Sequence, residues 1–221
     1  MTLGLTIDDK LLKQLLKGLY YPDSPYEFSV LPADILGQVY EQFLGKVIRL
    51  TAGHRAVIED KPEVKKAGGV YYTPTYIVEY IVKNTVGKLL EGSTPTKVAR
   101  LRILDPACGS GSFLIGAYDY LMDWHRDWYT ENDRDKWARG KEPRLYQGPA
   151  GDWRLTTSEK KRILLNNIHG VDIDAQAVEV TKLSLLLKVL EEESQESMNA
   201  QLKFFHERAL PDLSRNIKCG N

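Results

Sequence analysis

The sequence lacks the features that define several large classes of protein. Its 221 residues include two cysteines, Cys108 and Cys219, which cannot make a disulfide framework or a CxxC zinc site. No apolar run approaches about 18 residues, so a membrane-spanning helix is not expected. The first residues have neither the basic start nor the small-residue cleavage site of a secretory signal. We therefore expect a cytoplasmic protein with no membrane partner and no metal site.

Net charge is also lacking, because 30 Lys and Arg residues balance 30 Asp and Glu residues. A protein that binds nucleic acid on its own is usually basic, so this balance does not indicate one. Two stretches depart from it in opposite directions. Residues 134–162 hold nine basic and four acidic side chains, and residues 163–200 hold two basic and seven acidic side chains. Solvated helical faces explain both stretches without a function.

What the sequence does contain is the composition of a globular domain, with 43% hydrophobic and 27% charged residues. Apolar side chains at helical spacing predict a helix over residues 6–20, with Thr6 as its N-cap and a buried leucine stripe. A second helix is predicted over residues 32–44, and residues 59–69 form a polar connector. We expect residues 1–66 to be a helical segment ahead of the main domain.

From residue 67 onward, strand patterns alternate with helix patterns. Thr73 at an N-cap and Pro74 at the first helical position predict a helix that ends at Gly92. Strands are predicted over residues 98–104, 166–172 and 217–219, and helices begin at residue 112 and span residues 175–190. Strands that alternate with helices predict a parallel, doubly wound α/β sheet.

An unusual stretch separates the first two strand and helix units. Residues 123–162 contain all four tryptophans, together with interleaved arginines and several glycines and prolines. A simple α/β connection needs only a few residues, so we interpret this stretch as an insertion. Its aromatic and basic side chains suit base stacking and phosphate contact. The interpretation we favour is a small hydrophobic cluster that joins the insertion to the sheet.

A loop at the end of the first strand has the clearest chemical character. Its pattern is Asp105-x-x-x-Gly109-x-Gly111, between a strand and a helix. The glycines allow a ligand to approach the backbone, and the helix start offers free N–H groups. Asp105 lies where α/β sheets bind ligands, and it suits an amine better than a pyrophosphate, which argues against NAD. The alternative is a tight turn in which Asp105 caps the helix.

The second strand ends in Gly-Val-Asp-Ile-Asp, which places Asp172 at the strand tip. A carboxylate at this position can accept hydrogen bonds from both hydroxyls of a ribose. Asp174 is better placed to cap the helix that follows. In the alternative interpretation both carboxylates are caps.

Four motifs, in order along the chain, resemble those of a known family. Asp-Pro-Ala-Cys-Gly-Ser-Gly-Ser-Phe-Leu at residues 105–114 resembles the S-adenosylmethionine motif of adenine-N6 DNA methyltransferases. Gly-Val-Tyr-Tyr-Thr-Pro at residues 69–74 resembles the segment that covers the methionine end of the cofactor in that class, and residues 169–174 resemble its acidic ribose motif. Residues 28–45 are similar to the helical region ahead of the methylase in Eco57I-like (type IIG) restriction–modification enzymes. The resemblance covers about residues 20–221.

The resemblance implies that residues 67–221 form a Rossmann-like, class I S-adenosylmethionine-dependent methyltransferase domain of a bacterial or archaeal enzyme. The implied cofactor-binding residues are Tyr72 and Thr73 over the methionine end, Asp105, Ala107, Cys108, Gly109 and Gly111 around the amino-acid part, Asp172 at the ribose, and Ile173 and Asn221 at the adenine. The implied partner is double-stranded DNA, bound through the full-length enzyme.

One element of the family pattern is missing. The family grips its target base with an Asn/Asp-Pro-Pro-Tyr/Phe loop, and this sequence has none. A flipped adenine must be held in line with the methyl group, so we expect a fragment that binds cofactor without turnover. Its incomplete sheet would have an exposed edge that invites self-association. Two alternatives stay open: a methyltransferase acting on RNA or protein glutamine, and a regulatory module that binds the cofactor without catalysis.

Overall fold

The computed structural model describes residues 8–18, 24, 35–37, 39–40, 46–53, 55–60, 73–191 and 210–220. The helices are α1 (Asp9–Lys17), α2 (Thr75–Asn84), α3 (Val86–Leu90), α4 (Pro95–Val98), α5 (Ser112–Glu131), α6 (Arg134–Ala138), α7 (Thr157–Asn167) and α8 (Ala175–Leu190). The strands are β1 (Lys46–Leu50), β2 (Ala56–Asp60), β3 (Ile103–Asp105), β4 (Leu145–Gln147), β5 (Trp153–Leu155), β6 (Ile168–Asp172) and β7 (Ile217–Cys219). Residues 35–37 and 39–40 are also helical. No helix in this part of the chain has both the length and the apolar character needed to cross a membrane.

The centre of the fold is a sheet of three parallel strands in the order β3-β6-β7. Ile103 of β3 lies opposite Ile168 of β6, and Gly170 of β6 lies opposite Ile217 of β7. α5 follows β3 and α8 follows β6, because parallel strands need crossover connections between them. This arrangement confirms the predicted mixed α/β class and the strand at residues 217–219.

The helix α5 runs through the core. Leu114, Tyr118 and Leu121 recur at helical spacing and are at most 1% exposed. Burial of each such side chain contributes about 1.5–3 kcal/mol to folding. α2 approaches α5 closely because Gly116 has no side chain, and a Cβ there would lie 2.5 Å from Val78 Cγ1. This packing fixes α5, which begins at the glycine loop.

The predicted strand at residues 98–104 is wrong in its first part. α4 ends at Val98, and the chain then turns, with the Leu101 N–H donating to the Val98 carbonyl over 2.9 Å. The side-chain amide of Asn167 holds this turn by donating to the Val98 and Leu101 carbonyls over 2.7 and 2.8 Å. The alternating arginines that indicated a strand therefore precede it, and β3 covers only Ile103–Asp105.

The second strand begins later than predicted. Because α7 continues to Asn167, β6 starts at Ile168 instead of residue 166. The helix after it, α8, has the predicted bounds. Asp174 caps α8 as predicted, since its Oδ1 accepts the Gln176 N–H over 2.9 Å.

The single helix predicted after Thr73 is two helices in the structure, α2 and α3. α2 starts one residue later than predicted, with Pro74 at its N-cap position and no side-chain cap, so the assignment of Thr73 as the N-cap is wrong. The helix breaks at Thr85, whose hydroxyl donates to a carbonyl one turn earlier over 2.8 Å and so competes with the backbone donors. Gly92 ends the run as predicted, with a φ of 65°.

The amino-terminal helix is shorter and more exposed than predicted. Asp8 caps α1 by accepting the Lys10 N–H over 3.0 Å. The leucine stripe of α1 is exposed rather than buried, with Leu15 60% exposed. The predicted cap Thr6 and most of the helix predicted over residues 32–44 lie outside the described residues.

A hairpin follows that the sequence analysis did not predict. β1 and β2 are antiparallel, and Arg49 Nε donates to Glu59 Oε2 across them over 2.9 Å. Glu59 and Asp60 therefore belong to a strand and not to the polar connector predicted over residues 59–69. The rest of that connector lies outside the described residues.

The four tryptophans of the predicted insertion are partly buried against the core. Trp128 lies on the second half of α5, and Trp137 of α6 contacts it edge to face, with ring centroids 5.9 Å apart. The guanidinium carbon of Arg134 lies over Trp153, 5.1 Å from its ring centroid. These contacts agree with the interpretation of a hydrophobic cluster.

Candidate cofactor-binding site

The loop between β3 and α5, residues 105–111, lies at the carboxyl ends of the parallel strands. The Cys108 N–H donates to the Val171 carbonyl of β6 over 2.9 Å, which ties the loop to the neighbouring strand. The Gly111 N–H closes a tight turn by donating to the Cys108 carbonyl over 2.8 Å. This turn directs the start of α5 toward the strand ends, and the first N–H groups of a helix have no acceptor within it.

Two glycines of the loop have backbone conformations that other residues rarely adopt. Gly109 has a φ of 54° and Gly111 a φ of 88°. A Cβ on Gly111 would lie 2.8 Å from Thr181 Cγ2 of α8, whereas a Cβ on Gly109 would meet no described atom within 4 Å. The Thr181 hydroxyl also donates to the Gly109 carbonyl over 2.8 Å. Gly111 therefore serves packing against α8, and Gly109 borders open space.

Asp105 ends β3 with a partly exposed side chain. Its Oδ1 accepts the Ala107 N–H over 3.1 Å and so shapes the first turn of the loop. Gly111 occupies the N-cap position of α5, without a side-chain cap, so the interpretation of Asp105 as the cap is wrong. Within the described part of the chain, the Asp105 carboxylate retains acceptor capacity that a ligand can use.

Asp172 connects the two loops of the site. Its Oδ2 accepts the Gly109 N–H over 2.7 Å, and its Oδ1 accepts the Asp174 N–H over 2.8 Å. The interpretation of both carboxylates as helix caps is therefore wrong for Asp172, because Asp174 alone caps α8. A carboxylate can accept about four hydrogen bonds, so Asp172 can receive ligand hydroxyls without losing its backbone donors.

Cys108 is buried beneath the loop. A Cβ on Gly170 of β6 would lie 3.0 Å from its sulfur, so the thiol fills the space above that glycine. Burial, with smaller contributions from Asp105 and Asp172, raises the pKa of Cys108 to about 11. The thiol is therefore protonated at neutral pH, and Cys108 packs as a small buried side chain.

Ile173 is an exposed apolar residue of the site. It is 75% exposed at the turn after β6, next to Asp172. The start of α2 also borders the loop, because Thr75 and Ser112 line one cavity of about 400 Å³ between α2 and α5. Thr73 precedes α2 and is partly buried.

Two residues predicted for the site, Tyr72 and Asn221, lie outside the described residues. The structure brings the others together around two strand ends, apart from Thr73, which lies on the segment that leads into α2.

The structure adds two residues that the sequence analysis missed. The Tyr40 hydroxyl donates to Asp174 Oδ2 over 3.0 Å. Burial and the bond to Asp174 raise the pKa of Tyr40, so the hydroxyl remains a donor. Gly37 lies against Ser110, since a Cβ on Gly37 would be 3.1 Å from Ser110 Oγ. Both contacts join residues far apart in the sequence, and no local pattern predicts them.

Comparison with known proteins gives the class of this domain. The chain is 35% identical over 207 residues to the Escherichia coli type II restriction enzyme and methyltransferase RM.Eco57I, a match that covers 94% of this chain and 19% of that protein. It is 30% identical over 228 residues to a putative type II restriction enzyme and methyltransferase of Methanocaldococcus jannaschii, covering 86% of this chain and 16% of that protein. The Escherichia coli adenine-specific methyltransferase BrxX is 24% identical over 216 residues, covering 83% of this chain and 15% of that protein.

The family follows from a second match. Residues 83–221 match the family described as MmeI, DNA-methyltransferase domain. Because this match spans more than half of the sequence, the chain belongs to that family. The 35% identity to RM.Eco57I also confirms the resemblance to Eco57I-like enzymes. The chain spans less than a fifth of the length of the relatives named above.

Proposed function

We propose that this chain is the S-adenosylmethionine-binding portion of a site-specific adenine-N6 DNA methyltransferase of a restriction–modification system. The observation that carries the proposal is the meeting of Asp105, Asp172 and the positive-φ glycine loop at the ends of two adjacent parallel strands. In α/β sheets, ligands bind at this edge. We further propose that the three-stranded sheet is part of a Rossmann-like, class I methyltransferase sheet, and that residues 67–221 are its domain.

The chemistry of the side chains present fits the cofactor. The partly exposed carboxylate of Asp105 suits a positively charged amino group, and the retained acceptor capacity of Asp172 suits ribose hydroxyls. The exposed side chain of Ile173 suits one face of an adenine ring. The open space beside Gly109 allows a ligand to approach the backbone N–H groups at the start of α5.

In this proposal each residue binds or orients one part of the cofactor. Asp105 and the backbone from Ala107 to Gly111, including Cys108, hold the amino-acid part. Thr73 and Tyr72 close over the methionine end, and Asn221 contacts the adenine amino group. When bound, the cofactor supplies a methyl group on a positively charged sulfur, which is open to attack by a nucleophile.

Methyl transfer also requires a second set of groups. An adenine flipped from the duplex must be held with its amino nitrogen in line with the methyl carbon. The base-gripping Asn/Asp-Pro-Pro-Tyr/Phe pattern does not occur in these 221 residues. We therefore propose that they bind the cofactor without turnover, and that double-stranded DNA is the substrate of a full-length enzyme. The names of the relatives favour DNA adenine over RNA or protein glutamine as the acceptor.

The test is titration calorimetry of the 221-residue chain with S-adenosylmethionine. We expect binding, and we expect Asp172→Ala to weaken it by on the order of 1–3 kcal/mol, the cost of an unsatisfied polar partner. Asp135→Ala, which removes a carboxylate from the exposed start of α6, is the matched control and should bind as the wild type does. Absence of binding to the folded wild-type chain at millimolar cofactor would overturn the proposal.

A further inference from the structure

Two contacts join the amino-terminal region to the candidate site, and both come from described helical residues, Gly37 and Tyr40. Residues 35–37 and 39–40 are helical, and Gly37 and Tyr40 lie three residues apart in the sequence. Gly37 is buried against the loop that follows β3, and Tyr40 reaches the turn that follows β6. Gly37 and Tyr40 therefore each contact one of the two loops of the site.

The contact at Gly37 is close and leaves little freedom. Ser110 is 1% exposed, and a Cβ on Gly37 would lie 3.1 Å from its Oγ and 3.2 Å from its Cβ. Such a distance is shorter than ordinary van der Waals contact, so a larger residue at position 37 would displace Ser110. Ser110 stands between Gly109 and Gly111, whose backbone forms the glycine loop.

The contact at Tyr40 acts on the other loop. Asp174 receives the Tyr40 hydroxyl on Oδ2 and uses Oδ1 to cap α8 through the Gln176 N–H. The N–H of Asp174 in turn donates to Asp172 Oδ1 over 2.8 Å. A chain of hydrogen bonds thus runs from Tyr40 through Asp174 to the carboxylate of Asp172.

We infer that Tyr40 is a positioning residue of the cofactor site, which fixes the turn at residues 172–174 from outside the methyltransferase domain, while Gly37 fixes the glycine loop. This inference rests on the proposed function. Tyr40 touches no part of the cofactor in this scheme and acts through Asp174. Gly37 and Tyr40 therefore support the site from a third side, in addition to the two loops.

The experiment compares two ligands in the 221-residue chain. S-adenosylmethionine has both the amino-acid part and the nucleoside, and 5′-methylthioadenosine has the nucleoside without the amino-acid part. Tyr40→Phe removes one hydrogen bond at unchanged shape, and we expect it to weaken both ligands by about three- to tenfold. Asp105→Asn should weaken S-adenosylmethionine and leave 5′-methylthioadenosine unchanged.

A general loss of stability would also weaken both ligands, so the thermal unfolding of Tyr40→Phe is measured in the same buffer. We expect a variant that is fully folded at the temperature of the titration, and a loss of affinity explained by unfolding would overturn the inference. Tyr80→Phe, at a tyrosine of α2 that is 70% exposed, is the matched control and should bind both ligands as the wild type does. Unchanged affinity of Tyr40→Phe for both ligands would overturn this inference alone, as would a loss restricted to S-adenosylmethionine. Failure of the wild-type chain to bind either ligand would overturn the proposed function together with it.

Discussion

Two parts of the molecule use carboxylates in opposite ways. Glu159 on α7 is fully buried beside the tryptophan cluster, and its oxygens accept bonds from Tyr129, Arg144 and Arg162 at 2.7, 2.7 and 2.8 Å. Asp172, at the strand end, is only partly buried and receives backbone N–H groups. Glu159 is surrounded by charged and hydroxyl donors, whereas Asp172 retains acceptor capacity on an accessible surface.

The difference separates a structural carboxylate from a candidate binding carboxylate. A buried charge is tolerated only when other groups of the protein satisfy it, as at Glu159. A carboxylate with spare acceptors at the edge of a sheet can exchange water for a ligand. The local basic excess of residues 134–162 therefore has a structural explanation in part, because two of its arginines neutralise Glu159.

The largest expected effect is on stability. Glu159→Gln leaves Arg144 and Arg162 without their buried anion, so we expect the free energy of unfolding to fall by about 3 kcal/mol, the lower end for a broken buried ion pair because both arginines are partly exposed. Urea denaturation measures it. Cofactor affinity in the folded fraction should be unchanged.

Glu179→Gln, at an exposed pair with Lys182, is the control and should change stability little. An effect of Glu159→Gln no larger than that of the control would contradict the structural role.

The lowered pKa of Glu159 also predicts that stability depends on pH. Burial alone would raise the pKa of Glu159, but its bonds and charges from Arg162, Tyr129 and Arg144 outweigh burial and lower it. An acid with a lowered folded pKa contributes stability above its unfolded pKa, about 4.3, and loses it as the pH falls through the folded value. The urea midpoint of the wild type should therefore decrease as the pH is lowered below about 4.3. In Glu159→Gln the midpoint should depend less on pH over the same range. Parallel profiles for the two proteins would refute this assignment.

The two loop glycines give a matched pair with an intermediate effect. Gly111→Ala combines a φ of 88° with a contact of 2.8 Å to Thr181, so we expect a loss of about 2 kcal/mol in stability. Gly109→Ala meets no described atom, and the positive φ alone should cost about 1 kcal/mol. Thermal unfolding measures both. Equal losses of stability in the two variants would mean that the contact with Thr181 of α8 adds no cost at Gly111.

Asp105→Asn should affect binding rather than stability. The amide oxygen can still accept the Ala107 N–H, but the substitution removes the charge that we propose faces the cofactor's amino group. We expect about tenfold weaker binding of S-adenosylmethionine, the lower range for a lost charge-assisted bond, with an unchanged unfolding midpoint. Calorimetry and thermal unfolding of the same sample test both halves. A lowered midpoint would instead place Asp105 with Glu159 among the structural carboxylates.

The smallest expected effect concerns the sheet edge. β3 lies at one end of the described strand order, and its Leu104 is 60% exposed. We propose that this edge allows weak self-association. Leu104→Lys should reduce any dimer seen by sedimentation velocity, whereas Leu89→Lys, at a helical leucine that is 61% exposed, should not. Equal behaviour of the two variants would exclude the edge as the contact.

Local sequence patterns placed the residues of the candidate site at the strand ends correctly, but they placed several element boundaries wrongly. A glycine loop between a strand and a helix is a local pattern, so the positions of Asp105, Gly111 and Asp172 at neighbouring strand ends followed from it. The strand at residues 98–104 was too long because Asn167, distant in sequence, holds the turn at Val98 and Leu101. Such long-range bonds leave no local pattern.

The same reason explains the contacts that were missed. Tyr40 and Asp174 are 134 residues apart, and neither has a neighbour in the sequence that indicates the other. The exposed leucine stripe of α1 shows the opposite error, because helical periodicity predicts which side chains share a face and not what covers that face.

The length of α5 has a geometric consequence. The helix is continuous over 20 residues, from Ser112 beside the glycine loop to Glu131 beside the tryptophan cluster. At 1.5 Å per residue its ends are about 30 Å apart. The helix thus holds the glycine loop and the tryptophan cluster about 30 Å apart, so a small ligand bound at the loop would not contact the cluster.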